Sequence, residues 1–317
     1  MPLLPTPRSS EFAAFAGRLH SPNLIGELAE RSDLAAEQVR SQLATSVAEA
    51  RQTLAVLEGI ELRDGARVLE VGAGLGIASA FLASCGYEVT ALEPGGVGFE
   101  ARRSLGSHIA HVLDASVRWL TEPAETLDPS RDGRFDLALS NNVLEHVAAP
   151  ATVLRRIATV MVDDGLSVHS CPNYSVPYEP HFGVPLVPGR PQWTARVLPR
   201  SIAGSGLWAS LNFVRASDVV GACASFGHEA HFRPAALATS VERLSTDDEF
   251  RARHRMLGAI ARAASKVGAV PLLRRLPATW STPMDFLVAP AGTSPQVFRA
   301  WLDRGLPTPA ARPTTRA

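Results

Sequence analysis

The chain has 317 residues, 46% of them hydrophobic, which is enough to bury a substantial core. Its 31 acidic and 31 basic residues cancel, so no charge excess points to nucleic acid or to an anionic membrane. Cys85, Cys171 and Cys223 are scattered and odd in number, which excludes a zinc-spaced cluster and suits a reducing, cytoplasmic compartment.

The opening MPLLPTPRSS lacks the apolar core of a signal peptide and reads as a loose start. Residues 11–60 read as helices. Leu24, Ile25, Leu28 and Ala29 share one face, and Val39, Leu43, Val47, Ala50 and Leu54 share another, with Ser32 or Asp33 as a cap for the second helix. From Ala66 the pattern alternates. A buried strand, Arg67–Val71, is followed by a helix over 77–84 that stops at Gly86. A second strand, 88–92, ends at Glu93, and a short helix spans 98–105. A third strand, 110–113, ends at Asp114, and a fourth, 135–140, follows the loop 129–134. A helix over 151–161 stops at Asp163, Asp164 and Gly165, and a fifth strand covers 166–170. Strands separated by helices in this rhythm predict a parallel sheet with right-handed crossovers. The stretch 68–87 is apolar, but Glu70 and its glycines mark it as strand, turn and helix rather than a membrane span.

The rhythm breaks at 171–212, a long loop rich in Pro, Gly and aromatics that follows a strand's carboxyl end, where open α/β sheets bind ligands. A helix over 217–226, capped by Ser217, and strands at 228–233 and 284–289 follow. Between those strands lies a helical insertion, 235–282. It carries Arg251, Arg253, Arg255, Arg262, Arg274 and Arg275 interleaved with Met256, Leu257, Ile260 and Val267. An amphipathic solvated helix accounts for that pattern, and a surface for phosphate-bearing or membrane-linked substrates is the sharper reading. The resulting fold class is α/β: a Rossmann-like, doubly wound, mostly parallel seven-stranded sheet. N-terminal helices occupy 1–60, the main domain 61–290, and a disordered tail 291–317.

The most specific stretch is VLEVGAGLG, 68–76. Gly72, Gly74 and Gly76 allow a tight turn that presses backbone against a ligand, and the helix behind it points free N–H groups at that ligand. Two nucleotide-type cofactors compete for such a loop. A dinucleotide needs GxGxxG and a pyrophosphate-friendly surface, but Ile77 stands where the third glycine belongs and Glu70 places an acid beneath the turn. S-adenosylmethionine has an ammonium and a sulfonium and no phosphate, and it tolerates that acid. Acids at successive strand ends, Glu70, Glu93 and Asp114, supply acceptors for ribose hydroxyls and an adenine amino group.

Together, VLEVGAGLG, VTALEPGG, VLDAS, FDLALSNNVLEHV and GLSVHSCPN resemble the successive motifs of class I S-adenosylmethionine-dependent methyltransferases, in the group with an LEHV-type segment after strand four. The resemblance covers about 60–235 and a return near 283–290. It implies that Glu70, Gly72, Gly74 and Gly76 hold the methionine end of the cofactor and that Glu93 binds the ribose. Asp114 and Ala115 would border the adenine, and Asn141 would lie near the transferred methyl. It also implies a small-molecule or glycan-type acceptor, with peripheral membrane contact compatible and nucleic acid not expected.

Transfer to oxygen calls for a base. His146, His169 and His181 are the candidates. His169 lies within a strand and suits a core role, leaving His181 and His146. In some quinone O-methyltransferases the segment around 142–146 resembles a metal site. Here Asn142 replaces an acid, so no metal is expected, and Glu145 is read as fixing the loop. Asn173, Tyr174, Tyr178 and Glu179, in the loop with His181, form the expected substrate wall. The competing readings are a nicotinamide-dependent oxidoreductase and a non-catalytic cofactor-binding protein. Lys266, the sole lysine, has Arg262 four residues earlier, so the YxxxK pair of short-chain dehydrogenases is absent.

Overall fold

The computed structural model describes residues 10–32, 34–94, 99–234 and 276–304. Seven strands form one sheet in the order β3-β2-β1-β4-β5-β9-β8. These are β1 (Arg67–Val71), β2 (Glu88–Leu92), β3 (Val117–Leu120), β4 (Phe135–Asn141), β5 (Met161–Cys171), β8 (His228–Phe232) and β9 (Met284–Pro290). The first five run parallel, and β9 pairs antiparallel with β5 on one side and β8 on the other, so β8 points the same way as the first five. The central strands are apolar on both faces, as a sheet covered on both sides requires. Val68 and Leu137 join the core on one face, and Leu69 and Ala138 join the core on the other, following the two-residue period of a strand.

One face is covered by α1 (Ser10–Arg18), α2 (Pro22–Ser32), α3 (Ala36–Leu57), α4 (Ile77–Ser84) and α5 (Phe99–Val112). The other is covered by α7 (Pro150–Thr159) and, beside β8 and β9, α10 (Ala216–Ala224), with the short α6 (Pro129–Asp132) preceding β4. The apolar faces expected for α2 and α3 are buried, with Ala29 partly so. Between β5 and α10 the chain builds a cap. A two-stranded ribbon, β6 (Tyr178–Glu179) and β7 (Val184–Pro185), a 3-10 turn over Pro191–Arg196, and the short helices α8 (Arg200–Ala203) and α9 (Gly206–Ser210) pack around Tyr174, Leu186, Trp208, Leu211 and Phe213. Among the described residues no helix is long and apolar enough to cross a membrane.

Several expectations need correction. Residues 110–113 are not a strand: Ile109, Ala110 and Leu113 are the buried side of the end of α5. A short apolar run fits either period, and here the continuing helix wins. The strand begins at Val117. Asp114 therefore sits in the turn before β3, at the amino end of the strands, with φ 56° and its side chain exposed beside Arg18 at 3.6 Å. Asp163, Asp164 and Gly165 do not stop a helix. They lie in an irregular part of β5, where pairing with β4 jumps from Phe135 and Met161 to Leu137 and Leu166. Ser217 is not a cap, because the Asp218 carboxylate accepts the Arg215 N–H instead. Ser32 closes α2, donating to the Leu28 carbonyl, and Ala35 precedes α3. Asp33, residues 1–9 and the insertion from 235 to 275 with its six arginines lie outside the described residues.

The stretch 291–304 is not disordered. It forms a 3-10 turn, Pro295–Phe298, and α11 (Arg299–Leu302). Trp301 is fully buried, its indole N–H donates to the Val56 carbonyl at 2.7 Å, and the Arg233 guanidinium lies 4.3 Å from its ring. Arg233 also donates to Ala55, Val56 and Glu58 carbonyls, so the end of α3, the β8 edge and the C-terminal segment share one polar clamp. Trp301→Ala should destabilise the protein by about 3–5 kcal/mol in chemical denaturation, the usual cost of emptying a buried tryptophan site. An unchanged midpoint would mean that this segment does not fold onto the core.

Candidate functional site

Gly72 begins the turn after β1, Glu93 follows β2, Asn141 ends β4 and Cys171 ends β5, so the parallel topology brings them to one sheet edge. At the glycine turn, the Gly72 and Ala73 N–H groups donate to the Leu92 carbonyl, and Gly74 N–H donates to the Glu93 carboxylate at 2.8 Å. All three glycines have positive φ. A Cβ on Gly72 would collide with the Val143 side chain, and one on Gly76 would lie 2.6 Å from Trp119 of β3. A Cβ on Gly74 would meet open space. Gly72 and Gly76 thus permit protein packing, and Gly74 faces open space.

Glu70 is buried and accepts the Ser79 hydroxyl of α4. Burial pushes its carboxyl up to about 7, against the pull of the Ser79 hydrogen bond. Asn141 donates to the Thr53 hydroxyl at 3.2 Å, which brings α3 to the same edge. Asp114 and Ala115 belong to the opposite end of the strands and cannot join this site.

A second cluster lies just beyond β4, where Glu145 and His146 meet His181 from the cap. His181 Nδ1 is 2.6 Å from Glu179 Oε1, and the Tyr174 hydroxyl donates to the same oxygen at 3.3 Å. The other Glu179 oxygen accepts Phe182 N–H. His146 Nδ1 is 2.8 Å from the Ser210 hydroxyl, which itself donates to the Leu207 carbonyl. These partners assign the proton of each ring to Nδ1. Both Nε2 atoms then face Glu145 Oε1, at 3.7 Å from His181 and 3.8 Å from His146. Glu145 is fully buried and neither of its oxygens has a hydrogen-bond partner.

Three acceptors therefore converge with no donor between them. Such an arrangement calls for a proton or a cation. The electrostatics agree. Burial raises the Glu145 carboxyl to about 7, with the Glu179 charge adding to it. Burial and the neighbouring His181 lower His146 to about 4. For His181, burial alone would lower the value, but the Glu179 hydrogen bond and the two carboxylates outweigh it and raise it above ordinary histidine. The ligand atoms of Glu145, His146 and His181 all lie within 4.8 Å of one another, a spacing that could hold a metal ion.

The expected substrate wall is mostly scaffold. Asn173 is buried, donates to the Thr279 and Ser281 carbonyls, and accepts Ser175 and Ala216 N–H groups. Glu179 orients His181, and Tyr174 and Tyr178 are buried in the cap. Glu145 does not fix its loop through its side chain; Asn212 does that, bonding the carbonyls of Leu144, Glu145 and Val147. His169 is a core residue between Ser140 and Ser167, held to about 3 by burial. Ser210, Asn212, Thr53 and Trp119 carried no sequence signal, because each gains its place only through a partner distant in the chain.

The model of a methyltransferase-domain family matches residues 36–229. The chain belongs to this family. It is 36% identical over 231 residues to an uncharacterized protein of Mycobacterium tuberculosis strain H37Rv, covering 70% of this chain and 78% of that one. It is 29% identical over 167 residues to a ubiquinone biosynthesis O-methyltransferase of Bordetella bronchiseptica, covering 52% of this chain and 63% of that enzyme. Among solved structures, the [4+2]-cyclase SpnF matches with a TM-score of 0.45 and 17% identity, over 77% of this chain and 82% of that one. The protein is a methyltransferase of that family.

The residues of the first cluster fit S-adenosylmethionine as the methyl donor. Two buried carboxylates and the open face of Gly74 suit an ammonium and hydroxyl groups, whereas a pyrophosphate would meet like charge. Glu93→Ala should weaken S-adenosylmethionine binding by about 1–3 kcal/mol in titration calorimetry, the cost of removing a charged acceptor. Unchanged affinity would remove Glu93 from the site.

Proposed function

We propose that this methyltransferase transfers the methyl to a hydroxyl oxygen of a small-molecule or glycan- or lipid-linked acceptor, with His181 as the base. The observation that carries the reading is the Glu179–His181 pair beside the unpartnered Glu145 carboxylate. Glu179 holds Nδ1 protonated, which leaves Nε2 with its lone pair turned inward. The O-methyltransferase relative supports the choice of oxygen.

The cofactor supplies a methyl on a positive sulfur, already activated for in-line displacement. The chain must bind, align and exclude water. In this reading Glu70 and the turn Gly72–Gly76 receive the methionine end, Glu93 receives the ribose hydroxyls and Asn141 borders the methyl. As the oxygen–methyl bond formed and the methyl–sulfur bond broke, its electron pair staying on a neutral thioether, His181 Nε2 would take the acceptor's hydroxyl proton, and the Glu145 carboxylate, 3.7 Å away, would stabilise the imidazolium. Tyr174 and Phe182 N–H fix Glu179, so the ring does not rotate away.

The sign of the pH dependence follows. The base must be neutral, and its pKa is raised above the ordinary histidine value, so the rate rises with pH through that raised value. His181→Ala should lower kcat by about 100-fold or more with little change in cofactor affinity. Glu179→Gln should move the acid limb of the pH–rate profile to lower pH and reduce kcat. Wild-type turnover in both variants would rule out the pair as the base.

A second reading rests on the same convergence of acceptors. A divalent cation bound by Glu145, His146 and His181 would satisfy the orphaned carboxylate and could hold the acceptor oxygen directly. Elemental analysis of the purified protein separates the two readings. About one metal per chain, with turnover lost on chelation and restored on re-addition, selects the cation. Full turnover in metal-free protein selects the proton.

A further inference from the structure

The cap over the site has two sides. Its inner side holds Tyr174, Glu179 and His181. Its outer side gathers apolar and cationic groups that the transfer reaction does not use. Of nine exposed large apolar side chains among the described residues, four, Val187, Trp193, Val197 and Leu207, belong to the cap. Trp193 is 45% exposed and Val197 79% exposed. The Arg190 and Arg196 guanidinium groups lie 4.4 Å and 4.8 Å from the Trp193 ring. Backbone bonds hold these residues in one compact turn: Trp193 N–H donates to the Arg190 carbonyl, Arg190 N–H to Val187, and Val197 N–H to Thr194. The buried Thr194 hydroxyl also accepts Val187 N–H, which fixes Val187 beside that turn.

The charge pattern is one-sided. Between Glu179 and Asp218 the chain contains four arginines, Arg190, Arg196, Arg200 and Arg215, and no acidic residue, although the whole chain is neutral. An exposed tryptophan flanked by arginines and valine matches the chemistry of a membrane interface. There the indole sits at headgroup depth and arginines pair with lipid phosphates. A soluble protein partner would demand shaped complementarity, whereas a bilayer demands only apolar tips and positive charge on one face. We propose that the outer face of the cap, built on Trp193, Arg190, Arg196 and Val197, docks on an anionic lipid surface. Docking there would set the cap, and the site beneath it, against the bilayer from which a membrane-resident acceptor would enter.

The test uses the full chain and sedimentation with phosphatidylcholine vesicles, with or without phosphatidylglycerol. Binding to the anionic vesicles, weakened by salt, is expected. Each arginine near an anionic surface contributes enough that Arg190→Ala with Arg196→Ala should weaken binding about 20-fold or more. Thermal melting confirms that the variant is folded. A second measurement does not depend on that variant: brominated phosphatidylglycerol should quench tryptophan fluorescence in the wild type, and Trp193→Phe should lose most of the quenching. Equal binding to neutral and anionic vesicles, wild-type binding by the arginine variant, or undiminished quenching in Trp193→Phe would overturn the proposal. So would tighter association with soluble polyglutamate or DNA than with the vesicles, because it would assign the surface to an acidic macromolecule. Cofactor binding measured in parallel is expected to be unaffected in every variant.

Discussion

The contact between Gly72 and Val143 governs the rest of the site. Val143 occupies the space that any side chain at position 72 would need. It therefore locks the turn after β1 to the turn after β4. Because β1 and β4 are neighbours in the sheet, that lock needs no long connection: the pairing of Val71 with Ser140 delivers both turns to the same edge. Everything downstream inherits this placement. The glycine turn extends to one side through Gly74 and Glu93, and two residues past Val143 lies the buried Glu145 of the second cluster.

The second cluster is held under electrostatic tension that the fold does not relieve internally. A buried carboxylate without a donor is costly, and two imidazole Nε2 atoms facing it add no proton. The surrounding structure shapes this state rather than avoiding it. Ser210 and Glu179 turn the rings, and Asn212 pins the backbone. Proteins retain such an arrangement where charge or a proton must move, because a site already satisfied has no affinity left for a reacting group.

The cap connects these chemical demands to the outside. Its inner aromatics, Tyr174, Trp208 and Phe213, form a small core of their own, with edge-to-face contacts at 5.1 Å and 5.8 Å. That independent core lets the cap hold His181 firmly while its outer side remains exposed. Asn173 secures the base of the cap to β9's approach through Thr279 and Ser281, so the sheet's antiparallel edge also supports the site.

The sequence by itself determined the mostly parallel sheet, the glycine turn after β1 and the methyltransferase family. Each depends on local patterns: alternating strand and helix periods, glycines at positions with positive φ, and acids placed directly after apolar runs. It misplaced Asp114 because the short run Ala110, His111, Val112, Leu113 fits a strand or the end of a helix equally well, and only packing of Ile109 and Leu113 decided between them. It assigned disorder to 291–304 because Phe298 and Trp301, set among Gly, Pro and polar residues, give no hint of a place waiting at the end of α3. Tertiary structure alone decided that Glu145, His146 and His181 converge, that Glu179 orients a histidine and leaves no free oxygen to a substrate, and that Glu145 lacks a donor. Those facts depend on distances between segments far apart in the chain, and no periodicity within either segment encodes them.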